Sequence, residues 1–273
     1  MKELFIRAIS GAIYVLLLVG SLYVQDASVI LIGIFGMICI AEFSNLIKLK
    51  SFIQYAIFPI VYIGFWYLCI HNTNMPGCSE ASQILLVLSI FVNLILIKDL
   101  FTSKKIPLFE SKRYILTTFY LSSGFVFMLL IANYDHAFTP LLLLGSFILV
   151  WVNDSAAYLV GKNFGKQKLF PSISPKKTVE GFLGGLFVAC ISSYFIAIYT
   201  ETLGFTKWLI LAIIVSVLGT FGDLIESKFK RQAGVKDSGV IMPGHGGLLD
   251  RLDSIIFAAP FIYLFLRISN HVS

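Results

Sequence analysis

The chain has 273 residues, of which 58% are hydrophobic and 13% charged, and it carries a net charge of +6. That is about half the charge a water-soluble surface needs, so a soluble domain is excluded. The apolar residues come in blocks near the ~20 required to cross ~30 Å of hydrocarbon as a helix, and the alternating pattern of a membrane β-barrel is missing.

A short basic end, Met1 to Arg7, precedes an apolar run at about 8–24. No small-residue cleavage site follows it, since the run ends Tyr23-Val24-Gln25-Asp26, so it reads as span 1 and not as a removed signal. Spans 2, 3 and 4 are expected at about 28–47, 52–70 and 83–97, with a polar connection, HNTNMPGCSEAS, between the last two. A basic loop with Lys98, Lys104, Lys105, Lys112 and Arg113 leads to span 5 at about 114–132. Spans 6, 7, 8 and 9 follow at about 138–160, 178–200, 207–226 and 254–268. The predicted fold is therefore all-α, a polytopic integral membrane protein of about nine transmembrane helices. It forms one integral domain over 1–273, with N-terminal helices at about 1–133 and a C-terminal half at about 138–273.

Four cysteines are scattered, Cys39, Cys69 and Cys190 in apolar spans and Cys78 in a connection, and none forms a CxxC pair. Neither a zinc site nor a disulfide framework is indicated, and buried membrane thiols are expected. With the N-terminus placed in the cytoplasm, 19 of the 21 Lys and Arg fall on the inner side, leaving Lys207 and Arg267 outside. The positive-inside rule then orients the chain with its N-terminus cytoplasmic and its C-terminus outside. Net positive charge in such a chain reflects basic cytoplasmic loops, and no nucleic-acid partner is expected.

Charge concentrates in residues 219–253, which hold Asp223, Glu226, Asp237, Asp250 and Asp253 beside Lys228, Lys230, Arg231, Lys236 and Arg251. Asp250 and Asp253 are three apart, so a helix puts both on one face. An unpaired charge in hydrocarbon costs about 2.5–3.5 kcal/mol on insertion scales. Acids at two converging helix ends are thus expected either to bind cations, with Mg²⁺ suited to carboxylate oxygens and phosphates, or to pair with Lys228, Lys230 and Arg251. The glycines around His245, Gly244, Gly246 and Gly247, let a backbone approach phosphate closely, though no Walker loop occurs. His245 is open to three roles: structural hydrogen-bonder, phosphate ligand or proton shuttle. Asp154 interrupts span 6 beside Asn153, and as a carboxylate within a span it is a functional candidate that could complete a metal shell or pair with a lysine. Upstream, Ser174, Lys176, Lys177, Thr178 and Glu180 form a second polar block, in which Thr178 suits an N-cap for span 7. Gly181 and Gly185 in span 7, and Gly219 and Gly222 in span 8, predict close helix packing. Glu42, at the end of span 2, is a similar but weaker candidate and reads as solvated at the interface.

The stretch Ser227, Lys230-Arg231, Lys236-Asp237, Pro243, His245-Gly246-Gly247, Asp250-Arg251 and Asp253 resembles the signature of the phosphatidate cytidylyltransferases (CDP-diacylglycerol synthases). Met242 departs mildly from the Leu, Ile or Phe usual before the proline, and SPKKTVEG at Ser174 to Gly181 is a second family-like block. The resemblance implies a nucleotidyltransferase that joins CTP and phosphatidate into CDP-diacylglycerol and pyrophosphate. It implies Mg²⁺ on Asp223, Asp250 and Asp253, and leaves open a second metal ion of unknown identity. It further implies that Lys230, Arg231 and Lys236 steady phosphates, with Asp237, His245 and Arg251 in the catalytic set. Asp154, Ser174, Lys176, Lys177, Thr178, Glu180, Gly246 and Gly247 would border the nucleotide. By the same resemblance a homodimer is expected, while the positive-inside count puts both charged blocks, 161–180 and 223–253, on the cytoplasmic side of the inner (cytoplasmic) membrane, so the site is expected to face the cytoplasm. Two rivals are a CTP-dependent polyprenol or phytol kinase and an ion-coupled transporter. The transporter fits less well, because the acids gather at one membrane face and not at the midplane.

Overall fold

Nine helical rods among the described residues follow the nine apolar runs. The computed structural model describes residues 2–72, 76–102 and 104–271, so residues 73–75 of the polar connection between spans 3 and 4 lie outside the described residues. Its helices are α1 (Lys2–Ser21), α2 (Gln25–Leu46), α3 (Ile53–His71), α4 (Cys78–Leu100), α5 (Glu110–Ala132), α6 (Pro140–Phe164), α7 (Val179–Thr200), α8 (Phe205–Ala233) and α9 (Leu249–His271). Eight of these, α2 to α9, are long and apolar enough to cross a membrane, while the apolar part of α1 is limited to Phe5–Ser21. The chain is a multi-pass, all-α membrane protein. The one sheet among the described residues is an antiparallel hairpin of β1 (Lys168–Phe170) and β2 (Ser174–Thr178), lying between α6 and α7.

Helix α5 is the hub, with 83% of its apolar window buried by neighbouring helices. Without a hydrophobic driving force between helices in lipid, close packing and polar contacts must hold them together. Serines supply some of that contact, as where Ser89 of α4 and Ser123 of α5 share a buried hydrogen bond of 2.8 Å. Small residues supply the rest. A Cβ on Gly185 would sit 2.7 Å from the Asn153 carbonyl of α6, and one on Gly222 would sit 2.7 Å from the Asp253 carbonyl of α9. The glycine pairs therefore pack helices within one chain, drawing α6 to α7 and α8 to α9.

Three expectations are corrected. Cys69 and Cys78 form a disulfide joining the end of α3 to the start of α4; the two sulfurs meet across a short connection that a spacing rule for CxxC pairs does not see. Second, the helix that carries span 8 does not stop with the span near 226. Helix α8 continues to Ala233, and its 29 residues make a rod of about 43 Å, longer than the ~30 Å hydrocarbon layer. Lys228, Lys230 and Arg231 consequently sit on a helix and not in a loop, and Lys228 and Lys230 are buried. Lys228 Nζ caps the end of α4 instead, donating to Asp99 O at 2.5 Å and Thr102 O at 2.7 Å. Third, Glu42 is not solvated at an interface but 4% exposed.

Candidate active site

The protruding turns of α8, the first turns of α9, the middle of α6 and the end of β2 meet at one end of the bundle. Helix α8 presents Asp223, Glu226, Ser227 and Lys230 at helical spacing. Helix α9 contributes Asp250, Asp253 and Ser254 from its first turns.

Two lysines organise the acids. Lys177 of β2 forms an ion pair with Asp223 Oδ2, and the other Asp223 oxygen accepts from Ser227 Oγ at 3.2 Å. Burial pulls the Lys177 ammonium down, but the charges of Asp223, Asp154 and Asp253 and the bond to Asp223 outweigh it and raise its pKa. Asp154 takes a 3.3 Å contact from Asn153 Nδ2 and stands within electrostatic reach of Asp223 and Lys177. Asp253 forms the floor at 7% exposure, with Oδ1 accepting from Ser254 N at 2.7 Å. Asp154 is exposed, and Lys177 and Asp223 are half-buried, so this group lines an open cleft.

Lys230 governs the second group. Its Nζ pairs with Glu226, which is fully buried, and lies 2.6 Å from Asp250 Oδ1. Asp250 Oδ2 accepts from Gly247 N at 2.7 Å, Ser238 N at 2.9 Å and Ser238 Oγ at 3.0 Å. This one carboxylate thereby holds both ends of the 238–247 loop. The loop doubles back tightly at Met242–Gly246, where Gly246 has φ +92°, a conformation that disfavours any side chain. His245 Nδ1 lies 2.8 Å from Ser10 Oγ of α1, and Arg251 Nη2 donates to His245 O at 3.3 Å. Burial, then the positive charges of Arg251 and Arg7, lower the His245 pKa.

The structure thus gathers Asp154, Lys177, Asp223 and Asp253 in one group, and Lys230, Asp250 and Gly247 in an adjoining one with Gly246 beside Asp250. Several candidates stand apart. Strand alternation puts Lys176 on the opposite face from Lys177, exposed to solvent. Arg231 reaches Ile173 O at 3.4 Å and Val235 O at 3.2 Å, tying the hairpin to the end of α8. Lys236 and Asp237 are exposed on the loop. Ser174 opens β2 opposite Phe170. Thr178 caps α7 as expected, accepting from Gly181 N at 3.1 Å, and Glu180 accepts from Lys166 N at 2.9 Å and Gln167 N at 3.1 Å to shape the entry to the hairpin. Residues missed by the sequence reading are Ser238, which carries Asp250, Ser10 and Arg7, which flank His245, and Glu42.

The donors match Mg²⁺ in kind, being hard carboxylate oxygens, and Lys177 and Lys230 occupy the cation positions beside Asp223 and Asp250. Among the described residues no three or more His, Cys, Asp or Glu side chains are grouped as a ready-made metal site. Mg²⁺ does not need one, because one or two carboxylates commonly hold it together with substrate phosphates and water.

Carboxylates and lysines thus gather at one end of a polytopic helical bundle, the arrangement of an integral membrane protein with a charged site. The chain belongs to the cytidylyltransferase family, whose model matches residues 5–269. It is 38% identical over 183 residues to the phosphatidate cytidylyltransferase of Bacillus subtilis (strain 168), an alignment covering 67% of this chain and 66% of that one. To the phosphatidate cytidylyltransferases of Staphylococcus aureus (strain COL) and Staphylococcus saprophyticus it is 49% identical over 126 residues, 45% of this chain and 48% of each relative. The matched stretches therefore span between about half and two thirds of those relatives' own length.

Proposed function

We propose that this chain is a phosphatidate cytidylyltransferase, turning CTP and phosphatidate into CDP-diacylglycerol and pyrophosphate. The observation that carries it is the pairing of two buried or half-buried lysines, Lys177 and Lys230, with carboxylates of α8 and α9 beside an open cleft. A lipid-borne phosphate can reach such a cleft from the bilayer and a nucleotide from water. In the reaction a phosphatidate phosphate oxygen bonds to the α-phosphorus of CTP, the bond from that phosphorus to the bridging oxygen breaks, and pyrophosphate departs with the electron pair. Both reactants are anions, so the protein's task is neutralisation and in-line alignment.

Lys177 and Lys230 neutralise phosphate charge as it enters. Asp223 and Asp250, with Asp253 beside them, would hold Mg²⁺, which when bound supplies Lewis-acid stabilisation of the phosphoryl oxygens. Asp250 also keeps the 238–247 loop folded against α9, so Gly246 and Gly247 present backbone close to a phosphate. Asp154 lies on the cleft wall, suited to the ribose or base of the nucleotide. Homodimerisation belongs to the proposal on resemblance alone.

The proposed setting is the cytoplasmic membrane with the cleft facing the cytoplasm, where CTP is available. Two features support that orientation: the 19 of 21 basic residues assigned to the cleft side, and the Cys69–Cys78 disulfide at the α3–α4 turn, which suits an oxidising compartment. Labelled CTP tests the reaction. Label at the α-phosphate must enter lipid in the presence of phosphatidate, with pyrophosphate released in equal amount. Label entering lipid from the γ-phosphate would mark a lipid kinase instead.

A further inference from the structure

Besides the Ser10 contact to His245, the N-terminal half of the chain reaches the site through a buried carboxylate. Glu42 lies in the last turns of α2, among Cys39, Ile40 and Phe43, all of them fully buried. A carboxylate there is costly without donors. Its donors all come from the stretch that leads into α9. Leu248 N donates to Oε1 at 3.1 Å, Leu249 N to Oε2 at 2.8 Å, and Ser238 Oγ to Oε2 at 3.1 Å.

Those two backbone N–H groups open α9 and have no acceptor within their own helix. A negative charge is also favoured at that end of the helix dipole. Glu42 is therefore an N-cap supplied from another helix, more than two hundred residues away along the chain. The Ser238 hydroxyl that touches Glu42 is 3.0 Å from Asp250 Oδ2 as well. One hydroxyl proton serves two carboxylate oxygens, so whatever changes at Glu42 changes what Asp250 receives.

We infer that Glu42 is a positioning residue for the transfer reaction: it fixes the depth and angle of the first turn of α9, and with it Asp250 and Asp253. The inference rests on the reading of those acids as the reacting centre. It assigns α2 a part in catalysis, and it explains why a buried acid is kept where an apolar residue would pack more cheaply.

The experiment compares the full chain with Glu42→Gln, Glu42→Asp, Ser238→Ala and the Glu42→Gln/Ser238→Ala double variant in phosphatidate-containing mixed micelles, with rates expressed per folded molecule. Glutamine keeps the shape but turns one acceptor into a donor facing an N–H. Glu42→Gln is expected to lower kcat tenfold or more with the KM for CTP within threefold. Amide exchange at 248–253 should quicken at least tenfold, and Glu42→Asp should recover part of both. Ser238→Ala should lower kcat three- to tenfold, and the double variant should lose less than the product of the two single losses. Wild-type kcat in Glu42→Gln, or quickened exchange with wild-type kcat, would overturn the inference. If Glu42→Gln does not fold, Ser238→Ala with wild-type kcat overturns it just as well. A wild-type chain unable to turn over CTP would instead strike the reading of the site, while the exchange comparison would still decide whether Glu42 holds the turn.

Discussion

Lys177 of β2 forms an ion pair with Asp223 of α8, whereas its neighbour Lys176 projects from the other face of the strand into solvent. A two-residue β-alternation thus sorts two adjacent lysines that look equivalent in sequence. Removing Lys177 takes away a preorganised positive group and leaves Asp223 without its cation. Lys177→Met should cost about 10²–10³-fold in kcat, the range for removing one preorganised electrostatic donor. Lys176→Met should stay within a few-fold of wild type. Steady-state pyrophosphate release measures both, and equal losses would remove the distinction.

Lys230 is the other lysine with two acids in reach, Glu226 and Asp250. Its side chain is 11% exposed and that of Glu226 0%, so the pair is buried. Breaking a buried pair by removing one partner costs about 3–5 kcal/mol, because the remaining charge keeps its desolvation cost. Lys230→Met should therefore melt well below wild type in detergent, and adding Glu226→Gln should restore part of the loss. A Lys230→Met protein with wild-type thermal stability would show that the pair is not structural.

How much of this could be read from the chain depends on which interactions are local. Helix number and type were legible because twenty apolar residues in a row have few alternatives in a bilayer. The Thr178 cap was legible because its acceptor and donor lie three residues apart. Glycine spacing announced which helices approach closely, though not that they belong to one chain. The true end of α8 was hidden, since charged residues on a helix that outruns the hydrocarbon look like a loop. Glu42 was hidden more deeply: two of its three donors, Leu248 N and Leu249 N, are backbone groups at the start of a distant helix, and no side-chain pattern encodes them. The charged cluster stood out as a whole, but its division into a Lys177 group and a Lys230 group required the fold.

His245 gives a prediction in pH. Burial together with the charges of Arg251 and Arg7 lowers its folded-state pKa, so the unfolded chain binds the proton more readily, with an ordinary value of about 6.5. The stabilisation is then fully present above about pH 6.5 and is lost as pH falls through the lower folded-state value. Melting temperature in detergent should drop between about pH 6.5 and 5, and the drop should be shallower in His245→Gln. Identical slopes for the two proteins would show that His245 does not carry the effect. The substitution also removes one of the two loop partners of Ser10 Oγ, which keeps Pro243 O at 3.0 Å.

The Cys69–Cys78 disulfide offers a test of orientation that is independent of catalysis. It bridges α3 and α4 at the connection opposite to the ends that carry Lys48 and Lys98. If the basic ends face the cytoplasm, this connection faces the oxidising side, where a disulfide persists. Intact cells treated with a membrane-impermeant maleimide should leave both cysteines unlabelled. After brief exposure to an impermeant reductant they should both be labelled from outside. Replacing both with serine should lower stability by about 2–4 kcal/mol, as for a typical bridge, and leave kcat near wild type because the cleft lies at the other end of the bundle. Labelling that requires permeabilised cells would reverse the assignment of sides and place the cleft away from cytoplasmic CTP.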